Sequence, residues 1–445
     1  IVILLGLTLV LCTLAFGGVH YWAYGLLSAG AAATIILWSV DSWMARGLSY
    51  RASWLPLPLV AVILLGLVQL LPWRRITLPG NSATFVSALS FDPYSTRMVI
   101  VLLLSLLVFF AAALAFFDSR RRLKSVVTLL MLLGAAIAVL GLVQHFVSPL
   151  KIYGVREPNQ ALPFGPFINR NHFAAFLVMI VPIPLALVVE RAVDRDRLPL
   201  YGFAILLMVV ATLMTGSRGG LLTLVLAGGF LLATRSITRI RSPDEADNQP
   251  VRRRLRVAKI ALAVGGALLV IGLLLLLGGG GSLRRILGQT PTEDVAAGGR
   301  THYWKATARM FWDHPIAGVG LEGFGMAFPR YDTLNGTYRV ERAHNDYLQT
   351  LAETGLIGSL CALAFIVILF RQGWALLRQT NDPWRRAVVL GALAGCFGVL
   401  VHSFFEFPLR TPANALLFLL LAVLATVEVG RRQTGKTDAI VRKEI

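Results

Sequence analysis

Long apolar runs recur along this chain at lengths that suit a helix crossing a lipid bilayer, and no other feature constrains its fold as much. A bilayer core accommodates roughly 20 consecutive apolar residues as a helix, because lipid leaves every backbone N–H and C=O to be satisfied within the segment. On that criterion about twelve spans are expected, near 1–16, 20–40, 56–72, 98–117, 125–147, 173–189, 199–215, 219–234, 258–278, 355–377, 387–403 and 412–429. Segments of about ten residues with alternating polarity, which a membrane β-barrel needs, are absent. Composition agrees, since 56% of the 445 residues are hydrophobic and only 15% charged. The expected fold class is all-α, a polytopic integral membrane bundle with a long loop before the tenth span. The expected organisation is 1–278 for helices one to nine, 279–354 for a mostly helical loop domain, and 355–445 for the last three helices and a basic tail.

The net charge of +19 invites a nucleic-acid reading, but the distribution of Lys and Arg argues for membrane topology instead. Basic residues crowd into 41–51, "DSRRRLK" (118–124), "ERAVDRDR" (190–197), 235–256, 371–386 and the C-terminal tail. That set holds about 26 of them against about 16 in the alternate loops, so the positive-inside rule makes it cytoplasmic, with both termini inside. Segment 241–250 is acidic, contains proline and is expected to be disordered. Cys12, Cys361 and Cys396 all lie in apolar runs, so no disulfide framework is implied. The first run lacks a small-residue cleavage site after it and is expected to be a retained helix rather than a signal peptide.

The unusual polar clusters fall in the other set of loops, facing outside. "TGSRGG" puts Arg218 in a turn between two spans, with glycines that let the backbone approach a ligand closely; the plain alternative is an arginine snorkelling to headgroups. "AAGGRTHYW" places Arg300 just before a helical stretch. "FINRNHFAAFL" sets Asn169, Arg170, Asn171 and His172 at the mouth of the sixth span, where Asn and Arg are also ordinary caps. "VHSFFEFPLR" contributes His402, Glu406 and Arg410; His402 could equally be a core histidine and Glu406 an arginine's partner. "ERAHNDYLQTLAETGLIG" places His344 and Asn345 immediately ahead of a helical pattern. "GVGLEG" (318–323) mimics a dinucleotide fingerprint but lacks the strand and βαβ unit that give it meaning. No H-E-x-x-H, C-x-x-C or Asp-rich cluster suggests a metal, and no cofactor is implied.

Outside the cytoplasm no nucleotide sugar is at hand, so an activated sugar must arrive on a lipid. A polyprenyl diphosphate is already a good leaving group, and arginine forks stabilise its developing charge. The acceptor hydroxyl still needs a base, and histidine titrates in the useful range. Two arginines and a histidine suffice.

At these residues the chain resembles the O-antigen ligase and O-antigen polymerase superfamily, bacterial membrane glycosyltransferases that use polyprenyl diphosphate donors. The similarity runs from about Phe91 onward, densest in "LSFDPYSTR", "GPFINRNHFAAFL", "TGSRGG", "GGRTHYWKATARMFWDHPIAGVGLEGF", "AHNDYLQTLAETGLIG" and "HSFFEFPLRTPANALLF". The resemblance implies a multi-pass protein of the bacterial inner membrane with a long periplasmic loop. It also implies metal-independent, inverting transfer of a glycan from undecaprenyl diphosphate to a lipid A-core hydroxyl on the periplasmic face. It assigns His344 as catalytic base and Arg218 and Arg300 to the diphosphate. Arg170 and His172 are further donor-binding candidates, with Asn345, Asn169, Asn171 and Glu406 in support. The compact 279–354 loop shows no mark of a lipid A-core acceptor. Repeat-unit polymerases and protein O-oligosaccharyltransferases with the same donor chemistry are therefore alternatives. The rival from a different class is a polysaccharide or lipid transporter, which would place its charges near the midplane, often with repeat symmetry. The expected partners are the lipid-linked donor, its glycan or lipid acceptor and membrane lipids, with no nucleic acid.

Overall fold

The computed structural model describes residues 1–77, 84–158, 161–238, 299–333, 339–429 and 433–434. The apolar runs fold as α1 (Val2–Leu14), α2 (Tyr21–Met44), α3 (Pro56–Gln69), α4 (Pro93–Phe116), α5 (Arg120–Val147), α6 (Arg170–Ile180), α7 (Pro182–Val189), α8 (Leu198–Met214) and α9 (Arg218–Thr238). There follow α10 (Gly299–Asp313), α11 (Asp346–Gln379), α12 (Pro383–His402) and α13 (Pro412–Thr426). Among the described residues, β-structure is limited to two short antiparallel pairs, Ser49–Tyr50 with Gln433–Thr434 and Arg74–Thr77 with Thr84–Ser87. The protein is an all-α membrane protein.

Eight helices among the described residues, with α6 and α7 taken together, are long and apolar enough to cross a membrane. The runs at α1, α3 and α13 form shorter apolar helices, each about 20 Å long at the α-helical rise. The expected ninth span, 258–278, and the acidic segment 241–250 lie outside the described residues. The tenth span, expected from residue 355, starts as a helix at Asp346.

Contacts sort the connections into two groups. At one end Arg51 approaches Glu428, Arg120 pairs with Asp382 at 3.3 Å, and Arg235 and Arg386 share Glu190. At the other, Phe91 N donates to the Val319 carbonyl (2.8 Å), Thr411 Oγ1 meets His172 Nδ1 (2.7 Å) and Arg300 pairs with Glu406 (3.0 Å). These groupings match the basic-rich and basic-poor loop sets read from the sequence.

The helix α12 runs through the middle, packed on α6, α7, α9 and α13. Its Gly391 and Gly395 are one turn apart and allow the close approach. A Cβ on Gly395 would stand 2.3 Å from the Met179 carbonyl oxygen, and one on Gly391 2.6 Å from Ile183 Cα. Lipid gives helices little hydrophobic reason to associate, so small residues that let backbones touch do this work. Opposite them, Pro182 lacks an N–H and opens the break between α6 and α7.

Candidate active site

The site begins with a broken helix. Gly355, inside α11, has φ 59 and ψ −156, a region essentially confined to glycine. A break strands backbone groups that lipid cannot satisfy. The loop 315–321 satisfies them: Leu356 N donates to Pro315 O (2.8 Å) and Ile357 N to Ile316 O (3.3 Å). In return Val319 N donates to Ala352 O (2.9 Å) and Gly320 N to Glu353 O (3.1 Å). Gln69, the last residue of α3, locks the junction, its Nε2 donating to Ala317 O (2.6 Å) and Glu353 O (2.9 Å) while its Oε1 accepts from Leu321 N (2.9 Å). The "GVGLEG" segment is thus a brace for a broken helix.

The short N-terminal arm of α11 presents His344. Its φ of 51 is left-handed, a conformation that costs a side-chain-bearing residue about 1–2 kcal/mol and survives only where both flanks are held. On one flank Ala343 N donates to Gln349 Oε1 (3.0 Å), Trp304 Nε1 donates to Ala343 O (3.0 Å), and Arg342 is ion-paired to Glu322. On the other, Asn345 caps α11, its Oδ1 accepting from Tyr347 N and Leu348 N (both 3.0 Å) while its Nδ2 donates to Phe404 O (3.1 Å). Asp346 accepts from Ser403 Oγ (3.0 Å) and lies 3.5 Å from Arg410 Nε. Arg410 also reaches Glu353 (2.7 Å) and Glu322 (3.2 Å). Three carboxylates and two guanidinium groups therefore knit the brace, the α11 arm and the 403–411 loop together. Of these, Asp346 and Glu353 are buried, and stripping a buried carboxylate of its partner costs about 3–5 kcal/mol.

Glu406 joins the functional candidates. Its Oε1 accepts from Arg300 Nη2 (3.0 Å) and Asn171 Nδ2 (2.7 Å), and its Oε2 lies 3.2 Å from His344 Nδ1. The side chain is 4% exposed, against 34% for Arg300 and 27% for His344, so the carboxylate is buried while its partners reach the surface. Burial alone would raise its pKa. The His344 hydrogen bond and the charges of His344 and Arg300 outweigh burial and hold it at about 2, below the ordinary 4.5. When His344 is neutral, the carboxylate accepting at Nδ1 favours the Nδ1–H tautomer, which leaves the lone pair on Nε2. The Phe407 ring stands edge-on to His344 at 5.2 Å and Tyr303 stacks at 6.1 Å.

The other candidates surround this cluster. Asn169 caps α6 by accepting from Asn171 N (2.8 Å), which leaves the Asn171 side chain for Glu406. Arg170 lies beside the 215–218 turn, where a Cβ on Gly216 would be 4.0 Å from its Nη1. Arg218 opens α9 and is exposed. His402 is fully buried with Nδ1 3.3 Å from Thr223 Oγ1, and a Cβ on Gly219 would touch its ring at 3.6 Å. His172 is buried behind the cluster, against Thr411 and the edge of Phe407. The structure thus brings His344, Arg300, Asn171 and Glu406 into one bonded group. It sets Asn345 next to that group as a helix cap, with Arg218 and Arg170 around the neighbouring turn. The network of Glu322, Arg342, Asp346 and Glu353 was not legible beforehand. Its one sequence signal is charge in apolar surroundings, with Asp346 and Glu353 two turns apart on one face of α11.

A bundle of membrane-crossing helices that gathers a histidine–carboxylate–arginine cluster among the loops at one end defines a polytopic membrane protein with a polar site at its mouth. Residues 203–363 match the family model described as O-antigen ligase, a stretch that contains Arg218, Arg300 and His344. The exopolysaccharide production protein ExoQ of Rhizobium meliloti (strain 1021) is 26% identical over 280 residues, covering 61% of this chain and 60% of that protein. Over these stretches the chain is similar to the O-antigen ligase family and to this exopolysaccharide production protein.

Proposed function

We propose that this protein is a glycosyltransferase that moves a glycan from undecaprenyl diphosphate to an acceptor hydroxyl, without a metal, on the periplasmic face of the bacterial inner membrane. The observation that carries the reading is the position of Glu406, bonded to both His344 and Arg300. His344 Nε2 takes the proton of the acceptor hydroxyl as its oxygen attacks the anomeric carbon. The bond from that carbon to the diphosphate breaks with inversion, and the electron pair leaves on the diphosphate. Arg300 and Arg218 receive the developing charge as forked donors. Glu406 stabilises the imidazolium that forms, as the acid of a catalytic triad does. Arg170 lies by the same turn as Arg218 and adds positive charge for the diphosphate. In the first reading the acceptor is lipid A-core. The exopolysaccharide relative supports a second reading, in which the acceptor is another glycan and the product a lengthened chain.

Reconstitution of the purified protein in vesicles with a lipid-linked glycan and alternative acceptors tests this. Release of undecaprenyl diphosphate with a glycan joined to lipid A-core identifies a ligase, and a ladder of longer lipid-linked glycans a polymerase. An intact lipid-linked glycan, merely moved between leaflets, would mean transport and overturn the proposal.

A further inference from the structure

The exposed face of α5 changes chemistry in steps along its length. Leu123, Val126, Val127 and Leu130 are buried against the bundle. Arg121, Lys124, Ser125, Thr128 and Leu132 are exposed and share the opposite stripe at helical spacing. A cavity of ≈780 Å³ lies along that stripe, its lining completed by Arg120 and Leu129. The first turn is cationic. Arg120 pairs with Asp382 (3.3 Å) and Arg122 with Asp118 (2.8 Å), but among the described residues Arg121 and Lys124 pair with no carboxylate. Arg120 and Lys124 stand over the Trp384 ring at 5.6 and 5.9 Å, which seats this turn beside the start of α12. Arg121 and Lys124 thus offer the cavity two uncompensated positive charges.

Further along, Ser125 and Thr128 line the cavity with hydroxyls, and Leu129 and Leu132, the latter 59% exposed, line it with hydrocarbon. Arg121 and Leu132 are about 17 Å apart along the helix axis. The order of cation, hydroxyl and hydrocarbon matches the phosphate, glycerol ester and acyl chain of a glycerophospholipid. A free phosphate would use only the first turn, and a zwitterionic lipid would bring its own cation to the two already there. The helix α5 is long and apolar enough to cross a bilayer, so its bare stripe meets lipid. Its basic end belongs to the loops that the density of Lys and Arg assigns to the cytoplasm, where anionic lipids attract such segments. We propose that this stripe binds one anionic glycerophospholipid. Arg121 and Lys124 hold its phosphate, Thr128 donates to an ester carbonyl of its glycerol, and an acyl chain lies along Leu129 and Leu132. The site sits at the opposite end of the bundle from the His344 cluster and is independent of the transfer reading.

A phosphatidylglycerol carrying a diazirine on its acyl chain, added to the full-length protein in detergent, reads the site with no glycan donor present. Labelling is expected on α5 around Leu132, displaced by unlabelled phosphatidylglycerol and by neither phosphatidylcholine nor inorganic phosphate at equal concentration. Arg121→Gln combined with Lys124→Gln, both at exposed positions, should weaken binding about 30-fold. Arg195→Gln combined with Arg197→Gln removes as many charges from another basic-rich loop and should leave the labelling unchanged. Equal displacement by phosphatidylcholine would mean ordinary boundary lipid, and displacement by inorganic phosphate an anion site without a lipid; either overturns the proposal. Labelling confined to other helices, or equal loss in the two double variants, overturns it as well. A protein that transfers no glycan but keeps this labelling upholds the lipid site and removes the transferase reading.

Discussion

Glu406 is the residue on which the site's electrostatics turn. Its carboxyl, held at about 2 against an ordinary 4.5, stays ionised wherever the protein works. A depressed carboxylate gives stability that is complete above the ordinary value and lost as pH falls toward the folded one. Thermal unfolding in detergent at stepped pH should therefore show wild type losing stability between pH 4.5 and about 2, and Glu406→Gln losing less over that window. The same substitution keeps the shape but removes the charge behind His344. Transfer should fall by about 10³-fold or more, in line with other histidines deprived of their orienting acid, while bound donor remains detectable. Arg300→Lys and Arg218→Lys test the fork, because a point charge cannot place paired donors on a diphosphate. Each is expected to lower kcat/KM by about 10²–10³-fold; wild-type rates in either would count against a diphosphate role. At this scale the sequence was informative about residue types. His344, Arg300 and Glu406 stand out because polar groups are scarce in so apolar a chain. The link of Asn171 to Glu406 had no such signal, since an Asn behind a helix cap is common.

Among elements, α11 decides how the site is presented. The helical pattern runs on both sides of Gly355, so periodicity alone marks no break there. The break exists because loop 315–321 offers the carbonyls and amides that a severed helix needs. A Cβ at Gly355 would lie 2.3 Å from the Ile316 carbonyl oxygen, on a backbone conformation that side chains avoid. Gly355→Ala should cost about 2–4 kcal/mol, combining that strain with a lost brace contact. The midpoint of heat-induced aggregation reads it; an unchanged midpoint would show that the break is not held by the loop. Because His344 rides on the same arm, transfer should fall even in protein that remains folded. The N-cap at Asn345 was legible as a helix start beside His344. The ion network behind it was not, since Glu322, Arg342, Glu353 and Arg410 are distant in the chain and meet only when the brace, the arm and the 403–411 loop converge.

For the whole molecule, the consequence to test is sidedness. In a cysteine-free background, Lys151→Cys and Arg195→Cys place single thiols at exposed positions in opposite groups of loops. A membrane-impermeant maleimide should label position 151 in spheroplasts and position 195 only after lysis. The reverse pattern would put the His344 cluster in the cytoplasm and remove the transfer chemistry proposed for it. By itself the sequence determined the class of protein and the company its loops keep, because bilayer-length apolar runs and the density of Lys and Arg are local properties of a chain. Only the tertiary structure decided that one buried carboxylate would be shared by a histidine and an arginine from different segments. That meeting depends on how closely α12 nests against α6 and α7 and how sharply α11 bends, and both are set by contacts between residues far apart in the chain.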